Sequence, residues 1–249
     1  MLTIGILNSM PEAAVRSTER QIGELLTEAA GPDIPLRLKW FSLRPRDGYG
    51  SSQDLWATHH LDGLIATGTE PRAPHLNEEP YWDAFTRTVE WATTHTTSAI
   101  WSCLGAHAAV LYLDGIQRRP FATKLHGVFP IRKQTTHSLL ADTETSWCVP
   151  HSRWNDLPPE ALLSRGYGLL TCADGPGADL FVKPCGTSLF VFFQGHPEYD
   201  ARALMREYRR DVLRFMSGDR SDYPGLPTNY FNLGTARQLL WLRERALTG

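Results

Sequence analysis

Cys103 stands in the segment AIWSCLGAHAAV, where an apolar strand passes into a helix with almost no intervening loop. A residue at such a turn projects from the carboxyl edge of a sheet, where α/β proteins bind their ligands. The amides of the first helical turn point at the thiol and stabilise a thiolate. Leu104 can donate its backbone N–H to an oxyanion, and Gly105 leaves the approach open. The segment therefore predicts a nucleophilic cysteine, and the other three cysteines lack this setting.

A histidine and a glutamate two residues apart follow another apolar strand, in FFQGHPEYD at residues 192–200. His196 can accept the thiol proton of Cys103, and Glu198 can orient the imidazole and stabilise its charged form. Pro197 fixes the backbone between the two. A histidine beyond an apolar strand is also common as a rim residue. Because both segments follow apolar strands, both side chains are expected at the carboxyl edge of one parallel sheet, which predicts a Cys–His–Glu triad.

The elements around these residues alternate between strand and helix. Apolar runs typical of strands lie at 2–8, 35–43, 61–68 and 97–102, and helical periodicity separates them. In the first helix Ser17 is the expected N-cap and Gly31 the expected end. The alternation over the first 115 residues predicts an α/β fold, with a mostly parallel sheet and helices on both faces.

The chain changes character between residues 120 and 195. Short strand-like pieces there are separated by glycine and proline: HGVFPIRKQ, GLLTCADG, DLFVKPCG and SLFVFFQGH. These pieces predict strands added at one edge of the sheet. Helical periodicity returns at 201–216 and 235–247. No internal repeat or long linker is visible, so residues 1–249 are predicted to form a single domain.

Composition excludes several classes of function. The 249 residues carry a formal charge of −2, which gives no electrostatic reason to expect a nucleic-acid partner. No stretch of about 18 apolar residues is present, so no membrane span is predicted. The N-terminus lacks the pattern of a secretory signal, and the four cysteines form no C-x-x-C pair that would bind a metal. We expect a cytoplasmic protein with reduced thiols.

Further segments resemble one enzyme family, and they occur in the family's order: ILNSMPEAAVRSTERQ, DGLIATGTEP, WSCLGAHAAVLYLDGI, KLHGVFP, PHSRWNDLP and GHPEYDARALMREYRRDV. They are similar to the homoserine O-acyltransferases of methionine biosynthesis, the branch usually called homoserine O-succinyltransferase. The resemblance implies a flavodoxin-like sheet of the class I glutamine amidotransferase type. It also implies that an acyl group passes from acyl-CoA to the cysteine and then to the γ-hydroxyl of homoserine.

The resemblance assigns roles to individual residues. The triad is Cys103, His196 and Glu198, and four further residues match substrate-binding positions of the family: Lys124, Ser152, Arg153 and Arg210. The donor carbonyl is expected between the amides of Leu104 and Gly68, which would form the oxyanion hole. No cofactor is expected to stay bound, since succinyl-CoA or acetyl-CoA acts as a co-substrate. The resemblance also suggests a homodimer.

Two departures from the family pattern bear on substrate choice. The acyl-selecting position is Arg72, which can pair with the free carboxylate of a succinyl group, or equally with Glu70 or another acid. The helix after the nucleophile carries His107 where the family typically has glutamine. The acyl donor therefore stays open between succinyl and acetyl. The acceptor stays open between homoserine and a relative such as serine.

Two other readings use the same residues. A glutamine amidotransferase or γ-glutamyl hydrolase would apply the Cys–His–Glu triad to glutamine. The segments LNSMP, PHSR and HPEYD argue against this alternative, as does the lack of a synthetase domain. A non-catalytic binding protein that keeps the fold is the third reading, and an intact triad argues against it.

Overall fold

The structure, a computed structural model, describes residues 1–248. Nine strands form one sheet in the order β2-β1-β3-β4-β9-β8-β7-β5-β6. The strands are β1 (Leu2–Leu7), β2 (Leu36–Phe41), β3 (Leu61–Ala66), β4 (Thr96–Ser102), β5 (Arg119–Lys133), β6 (Ser146–Asp156), β7 (Gly168–Ala173), β8 (Gly177–Cys185) and β9 (Ser188–Phe193).

Seven α-helices accompany the strands among the described residues. They are α1 (Glu12–Ala30), α2 (Ser52–Trp56), α3 (Trp82–His95), α4 (Leu104–Asp114), α5 (Pro159–Ser164), α6 (Ala203–Met216) and α7 (Leu233–Thr248). No helix in this part of the chain is long and apolar enough to cross a membrane.

Five neighbouring strands, β2, β1, β3, β4 and β9, run parallel. Crossovers between parallel strands are right-handed. The connection through α1 leads from β1 to β2, and the connection through α3 leads from β3 to β4, in the opposite direction along the sheet. The two helices therefore lie on opposite faces, which confirms the α/β fold. The carboxyl ends of all five strands meet at one edge.

The strands β8, β7, β5 and β6 extend the sheet beyond β9 by antiparallel pairing. This confirms the expectation of added edge strands. The outermost strand, β6, was not expected, because its sequence SWCVPHSRWND has no clean apolar alternation and contains a proline. Strand β5 pairs with it along most of its length, so the pairing partner rather than the local sequence determines β6.

The first helix begins earlier than the sequence predicts. It begins at Glu12 with Pro11 before it, so Ser17 lies inside the helix and the expectation of an N-cap there was wrong. The Ser17 hydroxyl instead donates to the backbone carbonyl of Ala14 at 2.8 Å. Gly31 ends the helix as expected, with a positive φ of 60°.

Aromatic packing supports the strands that lead to the predicted triad. Trp101 on β4, Phe181 on β8, and Phe190 and Phe192 on β9 are fully buried. The rings of Phe181 and Phe192 stack with centroids 4.9 Å apart, and those of Trp101 and Phe190 lie 5.3 Å apart. Such pairs add about 0.5–1.5 kcal/mol to the gain from burial. The strands before Cys103 and His196 are therefore packed together as one rigid layer.

Candidate active site

Cys103 occupies the turn between β4 and α4 in a conformation that non-glycine residues rarely adopt. Its φ is 51° and its ψ is −115°, a strain of about 1–3 kcal/mol that surrounding contacts must offset. The Cys103 N–H donates to the carbonyl oxygen of Phe193 on β9 at 2.7 Å. The strained turn thus places the thiol at the start of α4 and ties it to the strand that precedes His196.

Close contact between the loop after β3 and the first turn of α4 depends on two glycines. A Cβ atom at Gly68 would lie 3.1 Å from the Leu104 nitrogen and 3.5 Å from the Cys103 Cβ. A Cβ atom at Gly105 would lie 3.2 Å from the Thr67 carbonyl oxygen. The Leu104 amide belongs to the first helical turn, where N–H groups have no acceptor within the helix. The structure thus brings Leu104, Gly68 and Cys103 together, the three residues of the predicted oxyanion hole and nucleophile.

The His196 imidazole lies between the thiol and a carboxylate. Its Nδ1 is 2.8 Å from Glu198 Oε1, and the Cys103 side chain is a second hydrogen-bond partner of the ring. Burial lowers the pKa of His196, but the charges of Glu198 and Cys103 act more strongly, and the pKa lies well above its ordinary value. An imidazolium is therefore favoured beside the thiol near neutral pH.

Tyr199 holds one face of this imidazole. The two rings stack with centroids 4.2 Å apart and 17° between their planes. The Tyr199 hydroxyl donates a hydrogen bond to Glu207 on α6. The stacked ring restricts rotation of His196 and connects the triad to the charged side chains of α6.

Those side chains form a cluster with two residues of the edge strands. The Lys124 ammonium lies 2.9 Å from Asp211 Oδ2 and 3.4 Å from Glu207 Oε2. The Ser152 hydroxyl donates to the same Glu207 oxygen and lies 3.2 Å from Nδ1 of His126. The structure therefore brings Lys124 and Ser152, two of the predicted substrate-binding residues, to the side of the triad.

Glu207 is a feature that the sequence analysis missed. Burial raises the pKa of its carboxyl group, but the charge of Lys124 and hydrogen bonds from Ser152 and Tyr199 lower the pKa by more, to below its ordinary value. A partly buried, ionised carboxylate therefore lies in the cluster. Its position three residues before Arg210, on the same face of a helix, is the signal that was available in the sequence.

Arg210 lies at the border of the cluster, with about half of its side chain exposed. Its Nε and Nη2 atoms donate to Asp211 Oδ1 at 3.0 and 2.9 Å. The Nη1 atom of this guanidinium makes no hydrogen bond within residues 1–248. The neighbouring Arg214 makes two hydrogen bonds to Glu70, at 2.6 and 3.1 Å, and so joins α6 to the loop after Gly68.

Arg153 and Ser152 point to opposite faces of the sheet, because successive side chains of β6 alternate between the two faces. Its guanidinium is buried, lies 3.1 Å from Asp156 Oδ1 and donates to the carbonyl oxygens of Asn155 and Pro176. Within residues 1–248 no hydrogen bond joins this guanidinium to Ser152, Glu207 or Lys124, but its charge interacts with Cys103. A direct role for Arg153 in substrate binding stays a prediction, and the contacts seen here stabilise the edge strands.

Arg72 extends from the loop between β3 and α3, and its side chain is exposed. The buried carboxylate of Glu79 accepts hydrogen bonds from the backbone N–H groups of Arg72 and Ala73. The guanidinium makes no ion pair within residues 1–248, and Glu70, one partner considered for it, binds Arg214 instead. The loop is therefore fixed while the Arg72 charge is available to a ligand.

No group of three or more histidine, cysteine or acidic side chains in the described part of the chain is arranged to hold a metal ion.

Comparison with known proteins identifies the family. A family model described as homoserine O-succinyltransferase matches residues 1–247. Homoserine O-succinyltransferase of Rhodopseudomonas palustris is 47% identical over 243 residues, which cover 93% of this chain and 72% of that protein. The chain belongs to the homoserine O-succinyltransferase family.

Other members of the homoserine O-succinyltransferase family match over a similar length. The protein of Methylorubrum extorquens is 46% identical, over 92% of this chain and 70% of its own. That of Allochromatium vinosum is 41% identical, over 98% and 71%. Nearly the whole chain thus corresponds to the greater part of each relative.

Solved structures share the fold at low sequence identity. A glutamine amidotransferase from Thermotoga maritima superposes with a TM-score of 0.57, is 14% identical and covers 98% of this chain and 90% of its own. The glutaminase domain of Trypanosoma brucei CTPS gives a TM-score of 0.58 at 12% identity, over 92% and 99%. These likenesses confirm the amidotransferase-like fold and indicate nothing further about the reaction.

Proposed function

We propose that this protein is a homoserine O-acyltransferase that carries an acyl group from acyl-CoA to homoserine through a thioester on Cys103. The observation that carries the proposal is the interaction of the Cys103 side chain with the His196 ring, whose Nδ1 lies 2.8 Å from Glu198 Oε1, in a chain of the homoserine O-succinyltransferase family. Family membership favours this reaction over glutamine hydrolysis, which the fold alone would also allow.

In the first half-reaction the Cys103 thiolate attacks the thioester carbonyl of the donor. The amides of Leu104 and Gly68 stabilise the oxyanion that forms, which contributes a few kcal/mol. The carbon–sulfur bond to CoA breaks, and the His196 imidazolium supplies the proton that CoA takes up. The products are an acyl-cysteine, free CoA and a neutral imidazole.

In the second half-reaction this neutral imidazole acts as the base. His196 removes the proton from the γ-hydroxyl of homoserine while the hydroxyl oxygen attacks the acyl-cysteine. The thioester bond breaks, O-acylhomoserine leaves, and the thiolate–imidazolium pair is restored. Glu198 stabilises the imidazolium that forms in this step. Water must be excluded during the exchange, because it would otherwise hydrolyse the acyl-enzyme.

Homoserine is a zwitterion, so its site needs a cation and an anion. We propose that the half-exposed guanidinium of Arg210 binds the α-carboxylate, since a guanidinium suits a planar carboxylate. Glu207 supplies a carboxylate for the ammonium group, and Lys124 and Ser152 hold that carboxylate in place. Serine carries the same two charges on a shorter chain, so the distance from this site to Cys103 determines which acceptor is acylated.

For the donor we propose succinyl-CoA, with acetyl-CoA as the alternative. The exposed guanidinium of Arg72, on the loop that begins at Gly68, can bind the free carboxylate of a succinyl group. An acetyl group has no such carboxylate and would gain nothing from this residue. We further propose that the enzyme acts in the cytoplasm, and as a homodimer.

The proposal is tested by measuring products from defined donors and acceptors. Succinyl-CoA and acetyl-CoA are each incubated with homoserine or serine, with free CoA thiol and the O-acyl amino acid as readouts. We expect release of CoA that depends on homoserine, and none with the Cys103→Ser variant. Ammonia release from glutamine, with no CoA release from either donor, would show that the amidotransferase alternative is correct.

A further inference from the structure

Three consecutive amides lead from the end of β9 to the triad histidine, and Asp179 on β8 accepts two of them. The N–H of Gln194 donates to the Asp179 backbone oxygen at 2.8 Å, and that of Gly195 donates to its carboxylate Oδ1 at 3.2 Å. The N–H of His196 donates to the carbonyl oxygen of Pro150 at 2.8 Å. The Asp179 side chain thus continues the pairing of β8 with β9 beyond the last strand residue.

The backbone at Gly195 packs directly on this carboxylate. A Cβ atom there would lie 2.5 Å from Asp179 Oδ1, 2.6 Å from Val149 Cγ1 and 3.1 Å from His151 Cε1. These distances exclude any side chain without movement of the surrounding groups. The glycine therefore lets the chain leave the sheet toward His196 while its amide stays hydrogen bonded to Asp179.

The carboxylate is almost fully buried, with 2% of the residue exposed. Its Oδ2 accepts the Thr171 hydroxyl at 2.9 Å. The titratable and charged groups that face it are His151 and Arg153 of β6, Cys172 of β7, and His196. Burial raises the pKa of Asp179 above its ordinary value, and the two hydrogen bonds and the charges of Arg153 and His196 offset only part of that rise.

Of the two cations among these groups, Arg153 has a counter-ion of its own, because Asp156 lies 3.1 Å from it. His151 is neutral, since burial and the charges of Arg153 and His196 lower its pKa to about 2. Arg153 and His196 both face the Asp179 carboxylate, and the charge of this carboxylate favours the imidazolium of His196. A like-sized neutral side chain at this position would remove that charge without changing the packing.

We propose that Asp179 is a positioning residue of the transferase, which fixes the Gly195–His196 backbone through its carboxylate and stabilises the charged form of His196. The inference rests on the proposed role of His196 as the base. It adds to the triad a second acid, which acts on the histidine from β8 and does not touch the substrate.

The test uses Asp179→Asn, which keeps an acceptor for the Gly195 amide and loses the charge, and Asp179→Ala, which loses both. Cys103 is alkylated with iodoacetate as a function of pH. This anionic reagent reacts best while the imidazolium is present. The fall of the alkylation rate at high pH, the alkaline limb of the profile, therefore reports loss of the imidazolium proton. We expect Asp179→Asn to move the alkaline limb to lower pH by about half a unit or more. Asp179→Ala is expected to lower kcat about tenfold or more at every pH, with the KM for homoserine unchanged.

Asp174→Asn is the matched control. It makes the same change of charge in the turn that joins β7 to β8, where Asp174 is 94% exposed and pairs with Arg132. Its alkylation profile and kcat are expected to equal those of the unaltered enzyme. Circular dichroism establishes whether each variant is folded. If Asp179→Ala does not fold, the test relies on Asp179→Asn, which preserves the shape of the side chain.

An Asp179→Asn profile that coincides with that of the unaltered enzyme would refute the electrostatic role. A folded Asp179→Ala variant with unaltered kcat would refute the positioning role. Alkylation needs no acyl donor, so this result is independent of the proposed reaction. Failure of the unaltered enzyme to transfer any acyl group would instead refute the proposed function.

Discussion

Replacing Glu198 by glutamine removes the carboxylate that lies 2.8 Å from His196 Nδ1 and leaves the side-chain shape nearly unchanged. An opposite charge at this distance shifts a pKa by about 1–3 units. Because His196 is buried, solvent screens this interaction only weakly. At 1.36 kcal/mol per unit, the carboxylate contributes about 1–4 kcal/mol to the charged form of the imidazole.

The direction of the effect follows from the raised pKa of His196. The imidazolium is present below this pKa and is lost as pH rises through it, so a lower pKa shortens its range from the alkaline side. We expect the alkaline limb of Cys103 alkylation by iodoacetate to move down by about 1–3 pH units in Glu198→Gln. The shift is expected to exceed that of Asp179→Asn, since Glu198 binds the ring directly.

The same variant is expected to lose turnover. A glutamine amide that donates to Nδ1 holds the proton on Nε2, and that tautomer cannot accept a proton from the substrate hydroxyl. We expect kcat to fall by about two orders of magnitude or more, with the circular dichroism spectrum unchanged. A Glu198→Gln enzyme with the alkylation profile and kcat of the unaltered protein would refute the assignment of the triad acid.

Three further substitutions test the proposed substrate contacts. Arg210→Ala is expected to raise the KM for homoserine about tenfold or more without slowing acylation of the nucleophile. Arg209 is exposed on the same helix, and Arg209→Ala is expected to change neither the KM nor the acylation rate. Equal losses in both half-reactions would contradict the carboxylate role of Arg210. Gly68→Ala places a methyl group 3.1 Å from the Leu104 nitrogen. The rate of acylation, measured by CoA release, should therefore fall about 10²–10³-fold, while alkylation of the thiol persists. An unchanged acylation rate would argue against this oxyanion hole. Arg72→Ala is expected to raise the KM for succinyl-CoA about tenfold and to leave the KM for acetyl-CoA unchanged. Equal changes in the KM of both donors would show that Arg72 does not distinguish the two acyl groups.

The triad was predictable from sequence because it depends on local signals. An apolar strand that runs into a helix predicts the Cys103 turn, and an apolar strand followed by HPE predicts the position of His196. The register of β4 against β9, with Ser102 opposite Phe193, then brings the two strand ends together. Parallel strands share an edge whatever lies between them in sequence, so the inference needed no long-range information.

The support behind the triad was not predictable in the same way. Asp179 lies in a strand whose own pattern gives no reason for a buried acid, and its partners are Thr171 of β7 and Gly195 just after β9. Strand β6 was missed because its pairing with β5 outweighs its weak local pattern. The family resemblance assigned Arg153 a substrate-binding role together with Ser152, and only the strand geometry shows that the two side chains point to opposite faces.

The central claim is that the acyl group rests on Cys103 between donor and acceptor, and intact-mass spectrometry tests it directly. Incubation with succinyl-CoA alone should add one succinyl group to the protein, located at Cys103 by peptide mapping and missing in Cys103→Ser. Addition of homoserine should return the protein to its original mass and release O-succinylhomoserine. A protein that gains no mass from succinyl-CoA or acetyl-CoA, or whose adduct persists after homoserine is added, would contradict the account.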